Sequence, residues 1–145
     1  MEYLLLCTGN RDGGDDAVGP YIADKIQPNK DISIIDCGVN PENYTSDVKR
    51  YKPKKLIIID ATDMGLTAGE IRIIPKEKIG TMHISTHGIP LSILIKYLED
   101  YVGEIILIGI QPKKMNGPMS KIIKKSGDDL ISIIINNNLK KIKTI

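Results

Sequence analysis

Two adjacent carboxylates, Asp15 and Asp16, follow the first apolar run of the chain, a third, Asp60, closes a later run, and two imidazoles, His83 and His87, lie further on in a polar stretch. Two carboxylates with one neutral imidazole form a suitable donor set for a borderline divalent ion such as nickel or zinc, because imidazole suits those metals and carboxylate adds charge. An ion held with an open coordination position polarises a carbonyl or lowers the pKa of water, as peptide hydrolysis requires. Asp16, Asp60 and His87 are remote along the chain, so this chemistry needs a fold that gathers them at one place.

Each of these residues also has a simpler role open to it. Asp15 or Asp16 could cap a helix, one of them accepting from a free backbone N–H while the other faces a crevice. Asp60 could organise a turn with Thr62 and Asp63. His87 could be a satisfied loop histidine, with His83 as the competing imidazole. The two histidines have the i, i+4 spacing of a helical zinc motif, but Ile84 stands where the required Glu would be and the surrounding residues read as loop, so a thermolysin-type site is rejected. Gly9, Gly13 and Gly14 fit neither the dinucleotide fingerprint nor the P-loop, and no G-x-S-x-G elbow occurs. Cys7 could act as a nucleophile with His87 only if it escaped burial, and its strand pattern buries it.

The elements that must position these groups are legible as runs and periods. Short apolar runs bounded by Gly, Pro and Asp occur at 3–8, 32–37, 55–61 and 104–110, as expected for strands buried on both faces of a sheet. A weaker alternating run at 70–74 ends at Pro75 and reads as an edge strand. Between the runs the spacing becomes helical: Val18, Tyr21, Ile22 and Ile26 mark one face, and a second helix opens near Pro41 and runs to Tyr51. Leu91, Leu94, Ile95, Leu98, Tyr101 and Val102 mark a third helix, with Pro90 suited to its first turn. The last helix starts near Pro118, uses Met119, Ile122, Ile123, Leu130, Ile133 and Ile134, and tolerates Gly127; the basic tail beyond Asn138 is expected to fray.

Alternating strands and helices predict an α/β fold, a three-layer αβα sandwich with a mostly parallel five-stranded sheet and one antiparallel edge strand. Residues 1–145 are read as a single domain, since this length suits one core. Ligands of such sheets bind beyond the carboxyl ends of the strands, where successive connections diverge. If the first strand lies between the second and third, the clusters carrying Asp16 and Asp60 flank one crevice and His87 closes it from the side.

Composition narrows the function. Apolar residues make up 41% and charged residues 26%, near globular averages, with neither Trp nor Phe, so the core is aliphatic. A net charge of +2 spread over many side chains lacks the concentrated field that nucleic acid would call for. Cys7 and Cys37 read as buried reduced thiols. No apolar stretch is long enough to span a bilayer and the first residues enter a strand pattern directly, so a cytoplasmic protein without membrane insertion is expected.

Read together, several blocks resemble one family. Leu5-Leu6-Cys7-Thr8-Gly9-Asn10 followed by Asp15-Asp16-Ala17-Val18-Gly19-Pro20 is similar to the opening signature of the hydrogenase maturation endopeptidases. Pro41-Glu42-Asn43, Ile59-Asp60-Ala61-Thr62-Asp63-Met64-Gly65-Leu66, Gly69-Glu70-Ile71-Arg72-Ile73-Ile74, Ser85-Thr86-His87-Gly88-Ile89-Pro90-Leu91 and Gly109-Ile110-Gln111-Pro112 continue the likeness in order, nearest to the hydrogenase-3 branch. The resemblance implies an endopeptidase that removes the C-terminal extension of a nickel-loaded [NiFe]-hydrogenase large-subunit precursor. Nickel would be carried by the substrate, and the metal-contacting and catalytic positions of the family fall on Asp16, Asp60 and His87. Ala17 departs from the family's usual Gly, which implies ordinary helical backbone there, and the segment between Pro112 and Pro118 looks shorter than in that branch. Two other readings stand beside it: a nickel-binding maturation chaperone that cuts nothing, and a receiver-like phosphoacceptor domain, which would want a Lys where Gln111-Pro112 stands.

Overall fold

The computed structural model describes residues 2–81, 83–84 and 89–145. The strands are β1 (Tyr3–Thr8), β2 (Ile32–Gly38), β3 (Lys55–Asp63), β4 (Ile71–Ile74), β5 (His83–Ile84), β6 (Glu104–Ile110) and β7 (Lys143–Thr144). The helices are α1 (Val18–Lys25), α2 (Thr45–Tyr51), α3 (Leu91–Leu98) and α4 (Lys121–Ile135). The sheet order is β2-β1-β3-β6-β4-β7, with β5 paired to the far end of β3. Strands β2, β1, β3 and β6 are mutually parallel, and β4 runs antiparallel to β6.

The αβα sandwich follows from the alternation within the strands. Leu5, Ile57, Ile59 and Ile108 face α1 and α4 in one core cluster, whereas Leu4, Leu6, Leu56, Ile58 and Leu107 face α2 and α3 in the other. Every one of these side chains is almost wholly buried. At about 1.5–3 kcal/mol for each large aliphatic group removed from water, the two clusters are what drive closure of the layers. Gly127 sits on the buried face of α4, where an added Cβ would stand 3.2 Å from the Tyr21 ring, so its cost in helix propensity is set against close packing on α1.

Several expectations are corrected. The strand at 71–74 is not the edge, because the tail folds back: Leu139 and Ile142 are buried and β7 pairs parallel to β4 instead of fraying. The sheet is therefore larger than five strands. Helix α3 stops at Leu98; Tyr101 is 43% exposed and lies outside the core. The second helix begins as a 3-10 turn, Pro41–Tyr44, before α2, and α4 starts at Lys121 rather than near Pro118. His83 and Ile84 form a short strand where loop was expected. No helix among the described residues is long and apolar enough to cross a membrane.

The first crossover needs a glycine. A Cβ on Gly19 would lie 2.1 Å from the Thr8 carbonyl oxygen, so α1 can sit against the end of β1 only without a side chain there. Gly19→Ala should destabilise the fold by about 2–4 kcal/mol, a loss of the size seen for overpacking against backbone. Gly80→Ala, where nothing lies within 4 Å, should change stability by less than about 0.5 kcal/mol. Urea denaturation of the two variants checks the contrast, and equal midpoints would refute the packing argument.

Candidate functional site

Because β1 lies between β2 and β3, the connection leaving β1 turns towards β2 over the α1 face, and the one leaving β2 returns to β3 over the α2 face. The crevice between the carboxyl ends of β1 and β3 is thus the topological switch point. The turn that carries Asp16 packs against β3, the strand that carries Asp60.

Asp16 lies in a 3-10 turn, Gly14–Ala17, that packs against β3. Its side chain is 5% exposed, and Oδ2 accepts from the Asn10 backbone N–H at 2.9 Å. Gly9 makes this possible. At φ 146° it occupies a region closed to most residues, and a Cβ there would lie 2.0 Å from the Asp16 carbonyl oxygen. Ala17 has φ −76°, ordinary helical backbone, in keeping with its departure from the family's glycine.

Asp60 is fully buried on β3, one residue past the last β1–β3 pair, Cys7↔Ile59. Alternation puts it on the face of Leu56 and Ile58, the side covered by α3. Thr8 Oγ1 donates to the Ile59 carbonyl at 3.0 Å and ties the ends of the two strands together just below the crevice. The turn-organising role considered for Asp60 belongs instead to Asp63, whose Oδ1 accepts from Gly65 N–H at 3.1 Å after β3 has ended.

His87 lies outside the described residues. The chain on either side of it is placed: β5 pairs with Thr62 and Asp63 at the crevice end of β3, and α3 begins at Leu91. Among the described residues, no three His, Cys, Asp or Glu side chains stand together as a metal-holding group.

Neither of the paired acids caps α1 by side chain. Asp15 instead reaches the segment after β6. Oδ2 accepts from the backbone N–H groups of Lys113 and Lys114 at 2.8 and 2.9 Å and from Ser120 Oγ at 3.0 Å, and Oδ1 accepts from Ser120 N–H at 2.7 Å. Burial alone pushes this carboxyl upward, but the amides of Ser120, Lys114 and Lys113 and the Ser120 hydroxyl outweigh it and hold it below the usual carboxylate range. Spacing gave no signal for this role, since all its partners lie about a hundred residues away.

Gln111, at the end of β6, is another residue whose part was not foreseen. Its buried Oε1 accepts from Met64 N–H at 2.6 Å and Leu66 N–H at 3.2 Å, and Nε2 donates to Asp63 Oδ1 at 3.1 Å. It fixes the turn after Asp60. On the β2 side the crevice opens into a cleft of about 490 Å³ bordered by Asn10, Arg11, Asp36, Val39 and Tyr44. Arg11 is shared between Asp24 and Asp36 across this cleft. These pairs are half-exposed and add little to stability. Cys7 is no nucleophile: it is wholly buried and its thiol is raised by burial. Cys37 is pushed up to about 12 by the same cause.

The fold is that of a doubly wound α/β protein, with Asp16 and Asp60 buried on neighbouring elements at the carboxyl edge of its sheet. A family model described as hydrogenase maturation protease matches residues 17–137, starting one residue after Asp16 and spanning Asp60 and His87. The chain is 43% identical over 129 residues to the hydrogenase 3 maturation protease of Escherichia coli K12, covering 86% of this chain and 83% of that protein. It is 37% identical over 146 aligned positions to a putative hydrogenase maturation protease of Methanocaldococcus jannaschii, covering 92% and 86% of the two chains. The solution structure of the endopeptidase HycI from Escherichia coli superposes with a TM-score of 0.88 at 36% identity, covering 99% and 96%. This chain belongs to the hydrogenase maturation protease family.

The Asp15 contacts carry a pH signature. A carboxyl held low in the folded state contributes stability that is complete above its unfolded pKa and is lost as pH falls through its folded pKa. The stability difference between wild type and Asp15→Asn should therefore be largest above about pH 5 and shrink at lower pH. Denaturant titrations across that range test it; a gap independent of pH would show that the charge on Asp15 is not what binds the segment.

Proposed function

We propose that this protein is an endopeptidase that removes the C-terminal extension of a nickel-loaded [NiFe]-hydrogenase large-subunit precursor in the cytoplasm, and that Asp16, Asp60 and His87 grip the nickel carried by that substrate. The observation that supports this reading is that Asp16 and Asp60, 44 residues apart in sequence, are both buried on neighbouring elements, Asp60 on β3 and Asp16 in the turn that packs against β3. Family membership supports the proteolytic activity, and the names of the relatives point to the hydrogenase substrate.

The chemistry follows from the donor set. Oxygen and imidazole donors suit a nickel ion that is still partly open to ligands. Seating that ion in the crevice fixes the scissile peptide relative to the protein, so metal occupancy of the precursor becomes the condition for cutting. A precursor without nickel would not be seated in this way. One of the two carboxylates orients the attacking water and takes its proton as the carbonyl is attacked. The cleft beside Arg11 and Asp36 has room for the chain flanking the cut. The receiver-like reading loses its support at Gln111, which is committed by three hydrogen bonds to the turn after β3.

Asp16→Asn, Asp60→Asn and His87→Ala should each lower cleavage of nickel-loaded precursor by about 100-fold or more, the range expected for loss of a positioned acid, base or ligand. Their circular dichroism should match wild type. Mass measurement of the precursor's C-terminus, with and without nickel, provides the readout. Wild-type cleavage of the nickel-free precursor would refute the metal-gated reading, and a variant that cuts at the normal rate would remove its residue from the site.

A further inference from the structure

We infer that the outer edge of β2 is a docking strand: the precursor's C-terminal extension, held extended, adds to it by main-chain hydrogen bonds at Ile34 and Asp36 and so enters the cleft beside Asp16. The inference rests on the protease reading above and deepens it by naming how the peptide to be cut is bound away from the metal.

The two edges of the sheet are finished differently. On the far side the chain's own tail covers β4: β7 pairs with Arg72 and Ile73, and the Ile145 N–H donates to the Ile73 carbonyl at 3.0 Å. On the near side β2 ends the sheet order, and among the described residues it is paired only by β1 and, at its first residue, by Asn29. The register fixes which amides are used. The Tyr3 N–H donates to the Asp31 carbonyl at 2.8 Å, so Asp31, Ser33 and Ile35 turn their main-chain groups to β1, and Ile32, Ile34 and Asp36 turn theirs outward. Asn29 meets the first of these, donating to the Ile32 carbonyl at 3.1 Å and accepting from its N–H at 3.3 Å. Ile34 and Asp36 follow along the same edge, and both residues are only partly buried.

Edge strands are ordinarily blunted by Lys, by Pro or by being very short. Strand β2 has seven residues and contains neither Lys nor Pro. Its one irregularity, where Cys37 is passed over between the pairs Cys7↔Asp36 and Thr8↔Gly38, lies at the cleft end, and such bulges are common beside active sites. The edge leads to the site. Asp36, Gly38 and Asn10 border the cleft, and it is the Asn10 N–H that donates to Asp16 Oδ2. Alternation puts Asp36 with Ile34 on the α1 face, where Arg11 joins it to Asp24, so this pairing engages the carboxylate rather than the main chain.

The chemistry of an open edge selects its partner. Main-chain donors and acceptors repeating at strand spacing match an extended peptide, and pairing of this kind supplies affinity while leaving the peptide's own carbonyls in order for attack. Two open pairing positions are far fewer than the roughly 20–30 residues a side of a stable dimer, and suit a segment that leaves once it has been cut.

The probe is nickel-loaded precursor in a form that cannot be cleaved, added to the full chain, with amide hydrogen exchange followed residue by residue by NMR and binding by fluorescence anisotropy. Exchange at Ile34 and Asp36 should slow by about tenfold or more in the complex, while Ser33 and Ile35, already bonded to β1, stay as slow as in the free protein. With cleavable precursor, Ile34→Pro removes the outward N–H at an edge position where proline is tolerated, and should raise KM by about tenfold at nearly constant kcat. Ile34→Ala keeps that N–H and should stay within about twofold of the wild-type KM. Bound precursor with Ile34 and Asp36 exchanging as in the free protein would overturn the inference and leave the protease reading in place, whether or not Ile34→Pro folds. An unchanged KM in a folded Ile34→Pro variant would count against it equally. Slow exchange at both amides in the protein alone would also overturn it, because a second copy would then cover the edge. Protection at both amides without cutting of the cleavable precursor would uphold the docking strand and defeat the protease reading; no binding at all would defeat both.

Discussion

Carboxylates withdrawn from water must be compensated by hydrogen bonds or by a cation, and the carboxyl edge of this sheet holds Asp15, Asp16 and Asp60 in nearly complete burial. That constraint organises the surrounding structure. Asp15 draws the segment after β6 across the top of the sheet. Asp16 is drawn back to the exit of β1 by the Asn10 amide. Asp60 is carried into the interior by β3 itself, the strand flanked by β1 and β6. The adjacent acids thus divide their work: Asp15 holds the segment after β6, and Asp16 holds the exit of β1, where the proposed function seats the substrate.

The same constraint connects fold to chemistry. A parallel sheet buried on both faces offers few places where a polar group can meet a ligand, and the crevice between diverging connections is one of them. Hydrophobic packing on each side makes that crevice rigid, because Leu6, Ile58 and Ile59 immediately beneath it are fully buried. Rigidity matters for the proposed function, in which a metal-bearing peptide is held in register, since misplacement by about an ångström is enough to cost two orders of magnitude in rate. In the proposed function the protein contributes ligands and placement, and the substrate contributes the ion.

Much of this was legible in the sequence where the signal is local or periodic. The four continuous apolar runs became β1, β2, β3 and β6; β1 and β3, buried on both faces, admit no polar alternation, whereas β2 lies at the sheet edge and is only partly buried. The placement of β1 between β2 and β3 was needed to unite Asp16 with Asp60, and the sheet has that order. What escaped was non-local. Lys and Asn around 136–143 read as a solvated tail, yet Leu139 and Ile142 are enough to dock it and add β7. The helix period at 91–102 continued past Leu98, but Tyr101 had no layer to pack against. The partners of Asp15 and Gln111 lie across the fold, where no spacing rule reaches. The family likeness added what periodicity could not, a reason to single out His87 over His83.

The central claim is that these side chains meet on nickel held by the substrate. X-ray absorption at the nickel edge measures this directly, comparing nickel-loaded precursor alone with precursor bound to the protein in a form that cannot be cleaved. The account predicts additional nitrogen and oxygen donors at the nickel in the complex, lost when His87 and Asp60 are replaced. A nickel environment that is the same free and bound would contradict it.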